Sequence, residues 1–288
     1  MRNKGLIVLL SVVAALVIIV VASGATFLVR HVEAYNYYGN NTLEGEDINY
    51  DDLVIGASGI KKNSSMFFLD EANIKSNVEN AYSNVEVINV ERKFPDRVSV
   101  NYVVHERMYQ YSNNGMYYYC YASGRIGGAS QSPFGDVFTL KTKDFTSESV
   151  GAYFQSAGGY DRKIVDAYIA FMRSKGVMDR QICSSVKFID LTRDGYIYLR
   201  MQSGCSIEIN GSADDFTAML ERGWNIFVDT KIELNKVAGL IRVWKYRGGD
   251  EDELRSSYIA PGAEIGLNDN GSKKYYYDDS YYAEYYAV

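Results

Sequence analysis

With 288 residues, 47 % of them hydrophobic, the chain can form two modest domains, and three cysteines are too few for a disulfide-held scaffold. A formal net charge of −6, from 30 basic and 36 acidic residues, leaves no basic footprint for nucleic acid. Twenty-six Tyr against three Pro lean towards β structure and half-wet contact faces, away from a Pro-rich linker.

Residues 6–29 form an apolar run without a charge. At 1.5 Å per residue a helix there spans roughly 36 Å, enough to cross a hydrocarbon core of about 30 Å. Arg2 and Lys4 precede the run and Arg30 follows it, so the positive-inside bias predicts residues 1–5 as a cytoplasmic tail and the remainder outside. Ser23, Gly24 and Ala25 also form a small-residue cleavage-like site; the length of the run, continuing through Phe27, Leu28 and Val29, favours an uncleaved transmembrane helix. The body of the chain is exported on either reading. Residues 30–41 are polar and Tyr-containing and read as a short tether.

Residues 42–45 can form a short strand, and residues 50–57 read as a helix with Asp51 or Asp52 at its start, where a carboxylate suits the helix dipole. Asp70 is the expected N-cap of a helix over residues 71–81, whose Ile74, Val78 and Ala81 line one face. Residues 85–92 read as a strand, Phe94-Pro95-Asp96-Arg97 as a turn, and Val98, Val100, Tyr102 and Val104 alternate along the next strand. The resulting order is β-α-α-β-β.

This order and its wording resemble the POTRA domain of the FtsQ/DivIB cell-division family. The matching features are Gly45, Leu53, Ser58-Gly59-Ile60, the Phe67-Phe68-Leu69-Asp70 step, Val85 and Val90, Arg92-Lys93-Phe94-Pro95-Asp96, and Glu106-Arg107. Two departures stand out. The closing Glu-Arg lies about two residues late, which predicts a longer or bulged last strand, and the family's following Pro is replaced by Met108 and Tyr109.

Beyond Arg107, residues 116–121 read as a strand, 161–175 as an amphipathic helix, and 186–191, 196–201 and 205–209 as a meander. A helix over 213–222 and strands within 232–246 follow. The resemblance implies the family's β domain here. The expected fold class is therefore α+β: an N-terminal transmembrane helix, a POTRA domain over 42–107, and a mostly antiparallel β domain with flanking helices over 108–249. Residues 250–288 start acidic and end in a Tyr-rich stretch, 273–288, with no Leu or Ile; the segment reads as a disordered tail, with a sticky contact segment as the alternative. Cys183 and Cys205 can pair, leaving Cys120 free, or all three can be buried thiols.

No nucleophile motif, metal-ligand spacing or phosphate-binding loop occurs, and His31 and His105 do not suggest a paired site. Two acids far apart in the chain remain compatible with a glycosidase pair. The reading is non-enzymatic: no catalytic residue, no cofactor, no metal and no small-molecule substrate. The resemblance implies binding to single-pass division proteins of the FtsL/DivIC and FtsB type, at a septal site on the outer side of the cell membrane. It also implies a contact at the distal end of the β domain, here Gly239, Leu240, Ile241, Arg242, Val243, Trp244 and Tyr246, expected as a sheet edge open to a partner strand. Ordinary core positions are the competing reading for Leu240, Ile241 and Val243. The alternative function is an exported adhesive protein that uses a POTRA-like unit and a tyrosine tail for contacts.

Overall fold

The computed structural model describes residues 11–15, 27–37, 49–143, 149–156, 159–233, 238–246 and 253–286. The chain divides into two compact units, Met1–His105 and Glu106–Val288.

The first unit follows local sequence signals. Asn49 caps α1 (Tyr50–Ala57) by accepting from the Asp51 N–H, and Asp70 caps α2 (Glu71–Ala81) by accepting from the Asn73 N–H at 3.1 Å. A single 3-10 turn, Met66–Phe68, lies between them. The helices bury Val54, Ile74 and Val78 against Val85, Val87, Val98 and Val100 of β2 (Val85–Lys93) and β3 (Arg97–Val104). The sheet order is β1-β3-β2, with β1 (His31–Asn36) parallel to β3. The Tyr102 hydroxyl crosses from β3 to Asp51 Oδ1 at 2.6 Å and ties sheet to helix. The expected irregularity falls in β2, between Val87 and Asn89, and β3 is unbroken.

Four expectations need correction or restriction here. Residues 31–36, expected as tether, are the first strand: Val32 and Ala34 pack on the core at period two, and the partner strand lies far along the chain. Val29, expected as the end of the anchor, is fully buried in this unit, and the Asn63 N–H donates to its carbonyl at 2.7 Å. The strand expected at 42–45 lies outside the described residues. So does most of the expected transmembrane segment; residues 11–15 are helical, and among the described residues no helix is long and apolar enough to cross a membrane.

The second unit is built on a nine-stranded mixed sheet, ordered β12-β11-β10-β9-β8-β7-β4-β5-β6. Its strands are β4 (Arg107–Asn113), β5 (Met116–Tyr121), β6 (Ile126–Ser130), β7 (Phe138–Lys141), β8 (Val186–Asp190), β9 (Tyr196–Met201), β10 (Cys205–Asn210), β11 (Gly239–Tyr246) and β12 (Glu253–Ile259). The pairs β4/β7, β7/β8 and β10/β11 are parallel and the remaining neighbours antiparallel. Alternation assigns the faces. Ile197, Leu199, Ile207, Ile209, Ile241 and Val243 belong to the core shared with α3 (Tyr160–Ser174), α4 (Asp179–Cys183) and α5 (Phe216–Glu233). Helix α5 runs well past Arg222, the expected end. Gly223 lets it lie close on the sheet, since a Cβ there would meet Ile207 Cγ2 at 2.9 Å and Val243 Cγ2 at 3.3 Å.

The region expected as a disordered tail is folded where described. It contributes β12, a hairpin of β13 (Glu264–Leu267) with β14 (Lys273–Tyr275), and α6 (Asp278–Tyr285). Tyr276, Tyr281 and Tyr286 are buried with Tyr198 and Leu240 in a separate cluster. Cys120, Cys183 and Cys205 are all free and buried, and burial pushes the Cys120 and Cys205 thiols up to about 12.

Candidate interaction edge and the tyrosine tail behind it

The positions of β8 to β11 that alternate with the core residues mix polar and charged side chains, among them Asp190, Arg200, Ser206, Glu208 and Arg242, with Phe188, Tyr198 and Leu240, and they receive the C-terminal segment. Ser206, Glu208 and Asp190 are buried there, at 0 %, 5 % and 1 % exposure. Each of three carboxylates is met by tyrosine hydroxyls. Glu208 Oε2 accepts from Tyr281 at 2.6 Å and from Tyr286 at 2.7 Å; Arg242 Nε lies 3.2 Å from Oε1, at ion-pair distance with its N–H poorly directed. Arg193 is 4.0 Å from the same carboxylate and stacks on Tyr196 at 3.7 Å.

Asp278 Oδ1, in the first turn of α6, accepts from Tyr198 at 2.7 Å, Ser206 at 2.7 Å and Tyr276 at 2.6 Å, while Oδ2 pairs with Arg200. Asp190 Oδ1 accepts from the Thr192 N–H at 2.8 Å and its hydroxyl at 2.6 Å, and Oδ2 accepts from Tyr282. Lys141 Nζ donates to Tyr282 at 2.6 Å and sits 4.2 Å above the Phe188 ring; burial lowers its pKa, and Asp190 partly offsets that.

Tyrosine supplies an apolar ring and a donor at once, so this segment seals a largely polar sheet face chiefly with tyrosines, Ile259 and Ile265 packing alongside. Its hydroxyls are committed internally, which removes Tyr276, Tyr281, Tyr282 and Tyr286 from the free contact segment that an adhesive reading requires.

Burial is the largest cause raising the pKa of Tyr198, Tyr276, Tyr281, Tyr282 and Tyr286. Below pH about 10 these phenols are neutral whether the chain is folded or not, and the full stability is present. Above that, only the unfolded chain ionises them, so stability is lost as pH rises towards the folded-state values. Alkaline titration should therefore show exposed phenols ionising first, followed by a cooperative step in which the buried ones ionise as far-ultraviolet circular dichroism is lost. A smooth phenolate titration with no step would contradict the buried arrangement.

The residues expected at a free edge occupy an internal strand. Strand β11 pairs with β10 on one side and β12 on the other, with registers Ile241↔Ile207 and Ile241↔Tyr258. Leu240, Ile241 and Val243 are buried, whereas Arg242, Trp244 and Tyr246 retain exposure. Gly239 has φ +127°, and a Cβ there would meet Ile259 O at 2.8 Å, so close approach of β12 requires glycine.

Strand β12 is the sheet's edge on this side among the described residues. It pairs with β11 over seven successive residues without a bulge and contains no Pro. Its side chains are anchored: Arg222 Nε donates to Ser256 Oγ at 3.0 Å, Tyr258 donates to Ala238 O at 2.7 Å, and Arg255 stacks on Tyr246 at 3.9 Å. At the opposite edge, β6 is covered at its start by the 151–154 segment, with the Ile126 N–H donating to Ala152 O at 2.8 Å. An open pocket of about 310 Å³ beside β12 is lined by Arg193, Trp244, Ser257 and Tyr285, among others. Among the described residues no group of three His, Cys, Asp or Glu side chains is placed to hold a metal ion.

Residues 44–107 match the family model described as POTRA domain, FtsQ-type. No curated protein matches the chain. Among solved structures, the major extracytoplasmic domain of the trans isomer of the cell-division protein DivIB from Geobacillus stearothermophilus aligns over 46 % of this chain and 97 % of its own. The identity is 9 % and the TM-score 0.26, too low to bear on fold or function. The FtsQ-type match coincides with the segment whose motifs occur here in family order, and residues 44–107 are a POTRA domain of the FtsQ type.

Proposed function

We propose that this protein is a non-enzymatic assembly factor of the division machinery, anchored by the apolar run that starts at Leu6 and ends before Phe27, with its body outside the cytoplasm. It binds single-pass division proteins of the FtsL/DivIC and FtsB type and so helps to position septal peptidoglycan synthesis. The observation that carries the binding reading is β12, an edge strand among the described residues, held rigid by β11 beneath it and by side-chain anchors at Arg222, Tyr246 and Ala238. An exposed strand of this kind accepts a partner strand through main-chain hydrogen bonds, with neighbouring side chains giving selectivity. Trp244 and Ser257, on the tail side of β11 and β12, line the pocket next to that edge and are suited to a partner side chain.

The test is localisation and co-purification. A fluorescent fusion of the full chain should concentrate at mid-cell and co-purify from membranes with the two small partners. A uniform envelope signal together with no partner recovery would reject the reading.

A further inference from the structure

The POTRA unit carries an apolar patch that its core does not use. Phe27, Phe67 and Phe94 meet with ring centroids 5.4, 5.3 and 5.8 Å apart, yet Phe67 and Phe94 are 55 % and 53 % exposed. Phe68, beside Phe67, is 89 % exposed. The rings come from three separate segments that the backbone holds together. The Met66 N–H donates to Phe27 O at 3.0 Å, Leu28 bridges Ser65, and the Arg30 N–H donates to Asp96 O at 2.8 Å.

Cations lie close to these rings along the chain, Lys93 next to Phe94 and Arg30 three residues after Phe27. Arg30, Lys61, Lys62 and Lys93 are exposed and make no ion pair among the described residues. Of the neighbouring acids, Glu33 pairs with Arg97, Glu71 with Arg92, and Asp96 lies 3.9 Å from His31, while Asp70 caps α2 and, like Glu91, makes no ion pair among the described residues. Exposed aromatic rings with unpaired cations on the same three segments match the apolar boundary and anionic headgroups of a lipid surface. The chain also enters this patch straight from its apolar run. A helix starting at Leu6 rises about 33 Å by Phe27, against a hydrocarbon core of about 30 Å.

We propose that Phe27, Phe67, Phe68 and Phe94 seat the POTRA unit on the bilayer surface from which the chain emerges, with Arg30, Lys61, Lys62 and Lys93 against anionic headgroups. This rests on the apolar run that starts at Leu6 and ends before Phe27 being a membrane anchor. The domain is then held in one orientation on the membrane, with its sheet direction fixed for whatever binds it.

Full-length protein carrying a nitroxide at Phe68→Cys, or at Asn80→Cys on the exposed face of α2, tests this in phosphatidylcholine vesicles with and without phosphatidylglycerol. The label at 68 should be several-fold better shielded from a water-soluble relaxant than the label at 80, more so with phosphatidylglycerol. Lys61→Glu/Lys62→Glu/Lys93→Glu should erase the lipid dependence. Equal exposure of both labels in a chain that floats with the vesicles would overturn the seating alone. Failure to float would overturn the anchor reading and the seating with it. Shielding that appears only when other division proteins are added would make the patch a protein contact and overturn the proposal.

Discussion

Replacing Asp278 with Ala should lower the melting temperature of the second unit by about 10 °C, whereas the adjacent Asp279→Ala should leave it nearly unchanged. Asp278 is where the C-terminal segment is bolted to the sheet. One oxygen takes three hydroxyls, from Tyr198, Ser206 and Tyr276, and the other pairs with Arg200, both partners of that pair being under 20 % exposed. Removing one member of a largely buried pair leaves the other uncompensated and costs about 3–5 kcal/mol. The residual exposure here argues for the lower end, about 3 kcal/mol, and each kcal/mol shifts a unit of this size by about 2–4 °C. Asp279 is exposed in the same helical turn and contributes only its favourable position at the helix start, about 0.3–1 kcal/mol. Asp278→Asn should fall between the two, because an amide oxygen can still accept the hydroxyls but cannot neutralise Arg200. Limited proteolysis should then cut the Asp278→Ala chain first between β12 and α6. Equal melting temperatures for the Ala variants would show that the segment is not fastened through this carboxylate.

The sequence made short-range order legible and long-range pairing illegible. Helix α2 was readable because its cap, Asp70, and its buried Ile74 and Val78 lie within a few turns of one another. Strand β1 was not, because what makes His31–Asn36 a strand is a parallel partner more than sixty residues away, Val98 opposite Val32. The tail failed for a chemical reason. Ser206 and Glu208 occupy the alternating positions that normally face water, so nothing in β10 announces that its polar side is covered. The covering residues are tyrosines, which a criterion based on aliphatic content discards. The clue was present as a coincidence of numbers: a Tyr-rich terminus, and acids and arginines spaced at period two on neighbouring strands. The misplaced edge has the same origin. Strand β12, with Glu253, Arg255, Ser256 and Ser257, lacks the apolar run of β11 and reads as loop until its seven-residue register with β11 is seen.

That register changes what a proline should do, and it defines the sharper test of partner capture. Ile241→Pro should unfold the second unit, because Ile241 is fully buried in a strand paired on both sides and a ring there removes a ladder donor and blocks the pairing. Loss of binding in that variant says nothing about an edge. On β12, successive N–H groups point to opposite sides, one towards β11 and the next outward. Of Arg255→Pro and Ser256→Pro, one therefore breaks the β11 pairing and melts early, while the other removes an outward donor and keeps the wild-type melt. The second should bind the FtsB-type partner at least about tenfold more weakly, since a lost main-chain hydrogen bond of about 1 kcal/mol is joined by the ring's obstruction of the incoming strand. Trp244→Ala should weaken capture less, because its side chain lines a pocket beside the edge and contributes no backbone pairing there. Affinity of the full chain in nanodiscs, measured alongside its melting curve, separates these outcomes. If both β12 prolines bind as the wild type does, or if Trp244→Ala alone abolishes capture in a folded chain, recognition runs through side chains in the pocket and not through strand addition at β12.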